Sequence, residues 1–232
     1  RKEADVLVGQ TEDVTQRAVN WTGVKKGVTI TNNCSGYYTK SAQLLKSHKL
    51  PEKENDGLRR LTLSGYYRHK NLEILNEVIP ILKSRGKRAI KFVVTLPDDQ
   101  YQNTFSEKAK TQIYNVGSVP LKEGPSLYRE CDAMFLPTLL ECFSASYPEA
   151  MAMKKPIVTT DMSFAKSICG KAASYFDPVN AKDAANTIER LVNDPSLREH
   201  LVSAGSNELK KFDSPKERAQ KYIELCEREI ED

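Results

Sequence analysis

Eight short apolar runs recur along the chain, at residues 6–8, 28–30, 61–63, 90–95, 113–116, 133–136, 156–159 and 173–176. They are bounded by turn residues and do not alternate strictly between apolar and polar positions. Such runs suit strands buried on both faces, because a strand with one wet face alternates. Amphipathic segments at helical spacing separate most of them. Strands joined through helices imply right-handed crossovers and a parallel sheet, so the predicted fold class is α/β.

Two breaks in the pattern bear on organisation. The polar stretch 51–56 carries Pro, Lys, Glu, Asn and Asp, which cannot pack a core, and reads as a loop. Near the C-terminus, Asp194-Pro195 and Ser214-Pro215-Lys216-Glu217 each place a capping side chain before a proline at the first helical position. The second also completes an S-x-x-E capping box. Two helices are therefore expected to close the chain. No internal repeat and no low-complexity segment is present.

Composition narrows the class. With 232 residues, 39% hydrophobic and 28% charged, the chain can form one large domain, or one domain plus a fragment of another. The net charge of +4 is spread out, without the basic blocks of a nucleic-acid arm, so no nucleic-acid partner is expected. Cys34, Cys131, Cys142, Cys169 and Cys226 form an odd, widely spaced set with no C-x-x-C pair. That argues against a disulfide framework and against a zinc site, and favours a reducing cytoplasm. No apolar run approaches the roughly 20 residues of a membrane span, and no leader pattern opens the chain. A start at Arg1 without Met suggests a longer parent protein.

Several chemistries are missing. Neither G-x-G-x-x-G nor G-x-x-x-x-G-K-[ST] can be matched to any glycine of the chain, which removes the main support for a dehydrogenase or a P-loop ATPase. His48, His69 and His200 are scattered, and no nucleophile elbow exists for a hydrolase. What remains is the stretch 135–158, FLPTLLECFSASYPEAMAMKKPIV, ordered strand, loop, helix, strand. Its loop, 141–146, leaves the carboxyl end of a strand, where open α/β sheets bind ligands, and feeds a helix start that can hold phosphate. Ser144 or Ser146 is the expected N-cap. Glu141 and Glu149, seven residues apart, can face one cleft, and a carboxylate accepting from two vicinal hydroxyls is a usual answer to a ribose or a hexose edge. Spacing alone fits two solvated glutamates equally well.

This segment resembles the E-x7-E region of family 4 glycosyltransferases of the GT-B fold, with its E-A-M-A and P-[IV]-V continuation. The likeness extends outward. Ala4 to Val8 with Thr11-Glu12 resembles the last strand and helix of the family's acceptor lobe, and Ser64-Gly65-Tyr66-Tyr67-Arg68-His69-Lys70-Asn71 the start of its donor lobe. Cys169-Gly170-Lys171-Ala172-Ala173 and Tyr175-Phe176-Asp177-Pro178 resemble the stretch after the motif. The resemblance implies that Glu149 holds the ribose hydroxyls, that Glu141 lies near the transferred sugar and that Lys70 binds the diphosphate. An arginine usually shares that last task; Tyr66 stands in its place, and Arg68 is the nearest substitute. Cys142, Phe143 and Ser144 follow Glu141 where the family often has glycines, with Ser144 able to donate through its backbone or hydroxyl. Val116-Gly117-Ser118-Val119-Pro120 resembles the base-side loop, and Thr95-Leu96-Pro97 stands where many relatives carry a glycine-rich turn. The implied donor-binding set is thus Glu149, Ser144, Phe143, Gly117, Val119 and Gly65, with Glu141, Lys70 and Arg68 at the reacting end. A direct role for His69 is the minor expectation beside a surface or capping role, and Cys142 and the neighbouring tyrosines read as packing.

The resemblance further implies a Rossmann-like sheet flanked by helices. Residues 1–34 would end the acceptor lobe and its linker, 35–214 form the donor-binding domain, and 215–232 form the helix that crosses back. The implied activity is retaining transfer of a hexosyl group from a nucleoside diphosphate sugar to an acceptor glycan or lipid-linked sugar. It needs no metal and no cofactor besides the donor, and the acceptor is held by the N-terminal domain of a longer protein. The expected location is cytoplasmic, with the inner face of the membrane compatible for the full-length protein. Two alternatives stay open: a sugar-nucleotide-binding module without its own transfer activity, and another enzyme on the same fold, such as an epimerase or a phosphorylase. An epimerase needs further acid/base groups around the sugar, and a phosphorylase a lysine for pyridoxal phosphate within a longer chain.

Overall fold

The structure, a computed structural model, describes residues 4–39, 50, 51, 58–62 and 65–231. All eight apolar runs coincide with strands, although Leu63 of the third and most of the polar loop 51–56 lie outside the described residues. Six strands form one wholly parallel sheet: β3 (Arg59–Thr62), β4 (Lys91–Val94), β5 (Ile113–Asn115), β6 (Ala133–Leu136), β7 (Ile157–Thr160) and β8 (Ala173–Phe176). Their spatial order is β5-β4-β3-β6-β7-β8. The chain therefore winds outward from β3 to one edge, returns to the middle at β6, and winds to the other edge. That reversal between β3 and β6 is the switch point at which doubly wound sheets open a crevice at the strands' carboxyl ends.

Why the runs do not alternate is plain from the packing. Phe92 and Val94 of β4, Phe135 of β6 and Val158 of β7 point to one face, into a core shared with α3 (Leu75–Ser84) and α9 (Ala181–Asn193). Their neighbours Val93, Met134, Leu136 and Ile157 point to the other, against α6 (Gly124–Glu130), α7 (Ser146–Ala152) and α8 (Ser163–Cys169). Both faces are dry, so these central positions are apolar on either side. On the first face Phe135 sits 5.6 Å from Phe92, edge to face, and 5.6 Å from Phe176, stacked.

A separate parallel pair, β1 (Val6–Gly9) and β2 (Lys26–Thr29), is bridged by α1 (Glu12–Thr22). Here Gly9 is required by close approach: a Cβ on it would lie 2.2 Å from Thr15 Oγ1 and 2.9 Å from Thr15 Cα. The chain then passes through residues 30–35 into the short helix α2 (Gly36–Thr39).

Both C-terminal helices start as their sequences dictate. Asp194 Oδ1 accepts from Leu197 N at 2.9 Å at the head of α10 (Pro195–Leu209). Ser214 N donates to Glu217 Oε2 at 2.8 Å and Glu217 N to Ser214 Oγ at 3.2 Å, a complete reciprocal box before α11 (Pro215–Glu231). The last helix returns to the small sheet, with Lys26 paired to Glu229. Its start is tied to the linker: Arg218 donates to Asn32 Oδ1 at 2.7 Å, Asp213 N to Thr31 Oγ1 at 2.8 Å, and Asn33 Nδ2 to the Phe212 and Asp213 carbonyls, each at 3.3 Å.

Candidate functional site

The two loops that leave the switch point are stitched together through one carbonyl. After β3 the chain makes a 3-10 turn at Arg68–Lys70 and passes through Asn71, whose φ of 53° is left-handed and whose side chain donates to the Pro178 carbonyl at 3.2 Å. The His69 carbonyl on that turn accepts from Leu139 N at 2.7 Å and from Thr138 Oγ1 at 3.2 Å, both in the loop after β6. Thr138 is fixed in turn by Thr160, whose hydroxyl donates to the Thr138 carbonyl at 2.6 Å.

This stitching brings Lys70 and Glu141 together. Lys70 Nζ lies 2.5 Å from Glu141 Oε1, and Thr138 Oγ1, whose one proton is shared between this oxygen and the His69 carbonyl, lies 3.0 Å away. The side chains are only 13% and 10% exposed, so the pair is largely withdrawn from water, where charge partners matter more than at a surface. Arg68, on the same turn, is exposed and takes no part in the pair. Tyr66 bonds Glu73 through its hydroxyl and packs against the core. His69 stacks on the Tyr67 ring, centroids 5.6 Å apart.

Glu149 occupies a second part of the crevice. It is buried on α7, 6% exposed, and burial pushes its carboxyl up to about 7, against the opposing effect of the Tyr128 and Tyr38 hydroxyls. It lines a cleft of about 350 Å³ together with Tyr38, Gly65, Thr95, Val119 and Ser146. Asn115, at the end of β5, shapes the opposite wall. Its Oδ1 accepts from Leu96 N at 3.0 Å and Gly117 N at 3.3 Å, joining the loop after β4 to the loop after β5. Gly117 has φ 72°, left-handed backbone that a side chain would strain.

Three of the expected donor-site residues, Gly65, Val119 and Glu149, thus line one cleft, and Lys70 and Glu141 meet on adjoining loops. Three others do not line that cleft. Phe143 packs edge to face on Phe212, centroids 5.8 Å apart, in the core contact below the last helix. Ser144 is buried and Gly117 serves the turn behind the wall. The expected serine N-cap is corrected: the cap position of α7 is Ala145, with helical φ and ψ and no side-chain cap, while Ser144 offers its carbonyl to Tyr147 N at 3.2 Å. Because the chain enters α7 already coiled, no extended residue precedes the helix to turn a hydroxyl onto its first N–H groups. Sequence reading passed over Thr138, Asn115 and Tyr38. Only Asn115 left a trace, as a polar residue inside the apolar run 113–116.

Among the described residues, no group of three or more His, Cys, Asp or Glu could hold a metal ion, and no helix is long and apolar enough to cross a membrane.

A family profile described as Glycosyl transferases group 1 matches residues 44–208, a span that holds every lining residue of the switch-point cleft except Tyr38. This chain belongs to that family. A curated relative, the capsular polysaccharide biosynthesis glycosyltransferase CapM of Staphylococcus aureus, is 28% identical over 181 residues, 73% of this chain and 47% of CapM. Two solved glycosyltransferases share the fold. S. aureus TarM, crystallised with fondaparinux, α-GlcNAc-glycerol and UDP, superposes with a TM-score of 0.77 at 19% identity, over 97% of this chain and 44% of TarM. The pneumococcal O-GlcNAc transferase GtfA, crystallised with UDP and GlcNAc, gives 0.73 at 17%, over 100% of this chain and 46% of GtfA. The six-stranded unit is one lobe of the GT-B fold, and this group 1 chain spans about half the length of these relatives.

Proposed function

We propose that this chain is the donor-binding half of a retaining family 4 hexosyltransferase, taking a nucleoside diphosphate sugar and passing its hexosyl group to an acceptor glycan or lipid-linked sugar. The observation that carries this reading is Glu149: a buried carboxylate, hard to ionise alone, facing a cleft in which it is the one charged side chain among the lining residues. A vicinal diol supplies two donors to a carboxylate, and so restores in the bound state the solvation that burial removes. Lys70 meets the diphosphate and offsets the charge that grows on it as the glycosidic bond breaks. Glu141, held to Lys70 and Thr138, aims the ammonium and orients the sugar of the donor. Arg68, exposed on the same turn, is placed to add a second cation to the diphosphate. No metal or further cofactor takes part.

In this reading residues 1–34 belong to the acceptor lobe and linker, 35–214 to the donor lobe and 215–232 to the crossing helix. The acceptor is held by the other lobe, and the full-length protein works in the cytoplasm at the inner face of the membrane.

Calorimetry with UDP-glucose, GDP-mannose and ADP-glucose tests the assignment. One of them is expected to bind, and Glu149→Ala should weaken it by about 100-fold, or roughly 2–3 kcal/mol, if two hydroxyls bond to the carboxylate. Unchanged affinity in the variant would remove Glu149 from the site; no binding by the wild type would sink the assignment.

A further inference from the structure

The group 1 likeness assigns nothing to the residues between the two sheets, yet one of them reaches into the donor cleft. Tyr38, on α2, is 4% exposed and lines the cleft with Glu149. Its hydroxyl is buried and makes no well-formed hydrogen bond among the described residues, although the Glu149 carboxylate lies near enough for the hydroxyl to favour its charged form. Buried hydroxyls are nearly always satisfied, because one that is not has given up its water for nothing. A phenol oxygen left in this state beside a buried carboxylate calls for a functional explanation.

We propose that Tyr38 is a positioning residue of the donor site, donating its hydroxyl proton to the Glu149 carboxylate and holding it ionised and aimed at the diol of the bound nucleotide. The inference rests on the donor-site reading above and adds to it a residue from outside the sheet. Two phenols neighbour Glu149, each with one proton to give. Tyr128, from α6, has the Ser146 carbonyl at 3.2 Å and the Met134 sulfur at 3.6 Å as well as Glu149 to choose among, so its one proton is divided between several acceptors. Tyr38 stands edge to face against it, centroids 5.8 Å apart, with its own proton uncommitted. The main chain holds it there: Tyr38 N donates to the Ser35 carbonyl at 3.0 Å, just after the linker.

The titratable groups facing Glu149 are Tyr38 from α2, Tyr128 from α6 and the Cys34 thiol from the linker. Burial, reinforced by the Glu149 charge, raises all three, Cys34 to about 11 and both phenols above their usual 10. They stay protonated through neutrality, and Glu149 is the member of the cluster that titrates there. A donor aimed at its charged form keeps that form available at lower pH.

The test is the pH dependence of sugar-nucleotide affinity, with the tightest binder of UDP-glucose, GDP-mannose and ADP-glucose, none of which has a phosphate titrating near neutrality. In the wild type, affinity should fall as pH drops through about 7. In Tyr38→Phe the fall should begin at higher pH, by roughly half a pH unit to one unit, which is a loss of about 3- to 10-fold on the acid limb and less above it. A merely structural role would lower affinity equally at every pH and leave the limb in place, which overturns the inference while leaving the donor site intact. Carbon-13 NMR of the Glu149 carboxyl in the ligand-free chain supplies a second readout: its titration should move up in Tyr38→Phe, and an unmoved titration counts against the proposal even if the variant binds poorly. A wild type that binds none of the three sugar nucleotides removes the donor site, and this inference with it.

Discussion

Glu149 concentrates the energetics of the site in one residue. Its carboxyl titrates at about 7 in the folded chain against an ordinary 4.5, because burial disfavours the charge. A raised folded value means that the native state holds its proton more tightly than the unfolded chain does. The stability this confers is complete below about pH 4.5 and is lost as pH rises through about 7, a decline of about 3 kcal/mol. Glu149→Gln, which cannot ionise, should lack that decline. Urea unfolding of both proteins at about pH 5 and about pH 8 should show the variant gaining on the wild type at the higher value. Parallel pH profiles would mean that the carboxylate is better solvated than its burial indicates. Legibility at this scale was uneven. Glu141, Glu149, Lys70 and Gly65 carried a motif and could be singled out in the sequence. Tyr38 could not, since its significance lies in standing beside a helix far along the chain, and nothing in the residues around it announces that neighbour.

Among elements, those buried on both sides were the most legible. A strand sandwiched between helices has few polar positions to spare, so β6 is apolar throughout, β4 is apolar after Lys91, and the threonines that end β7 are buried. The third strand was harder to bound, because Arg59 and Arg60 begin it and Leu61 is its first apolar residue. The pieces that escaped notice were α2, α4 (Asp98–Thr104) and α5 (Glu107–Lys110), each too short to show a full helical period. Turns obey a different rule, and Gly117 and Gly9 illustrate its two forms. A Cβ at Gly117 would meet nothing within 4 Å, so Gly117→Ala should cost only the left-handed strain of its φ, about 1–2 kcal/mol. Gly9→Ala collides with the backbone of Thr15 and should cost clearly more, because the helix axis must shift. Denaturant midpoints of the two variants decide this, and equal losses would mean that α1 yields easily.

At the level of the whole molecule, the crevice is open on one side. Glycosyl transfer needs donor and acceptor enclosed together and water kept out, whereas the described residues supply one six-stranded lobe and a small β1–α1–β2 unit. The 232-residue chain is accordingly expected to bind a sugar nucleotide but to transfer little of its sugar. A radiolabelled-sugar assay over long incubation would check this, and rapid turnover by this chain alone would refute the division of labour between two lobes.

The ties between the linker and the start of the last helix have a mechanical consequence. The polypeptide crosses between the small sheet and the large lobe twice, once at residues 31–34 and once at 212–214, and the two crossings are bonded side to side. The β1–α1–β2 unit also meets the large lobe away from these crossings, where Arg17 donates to Ser163 Oγ at 2.7 Å and Ser163 Oγ to Asp13 Oδ2 at 3.3 Å. It is thus braced at two separate places, and a swing about the crossings has first to part α1 from α8.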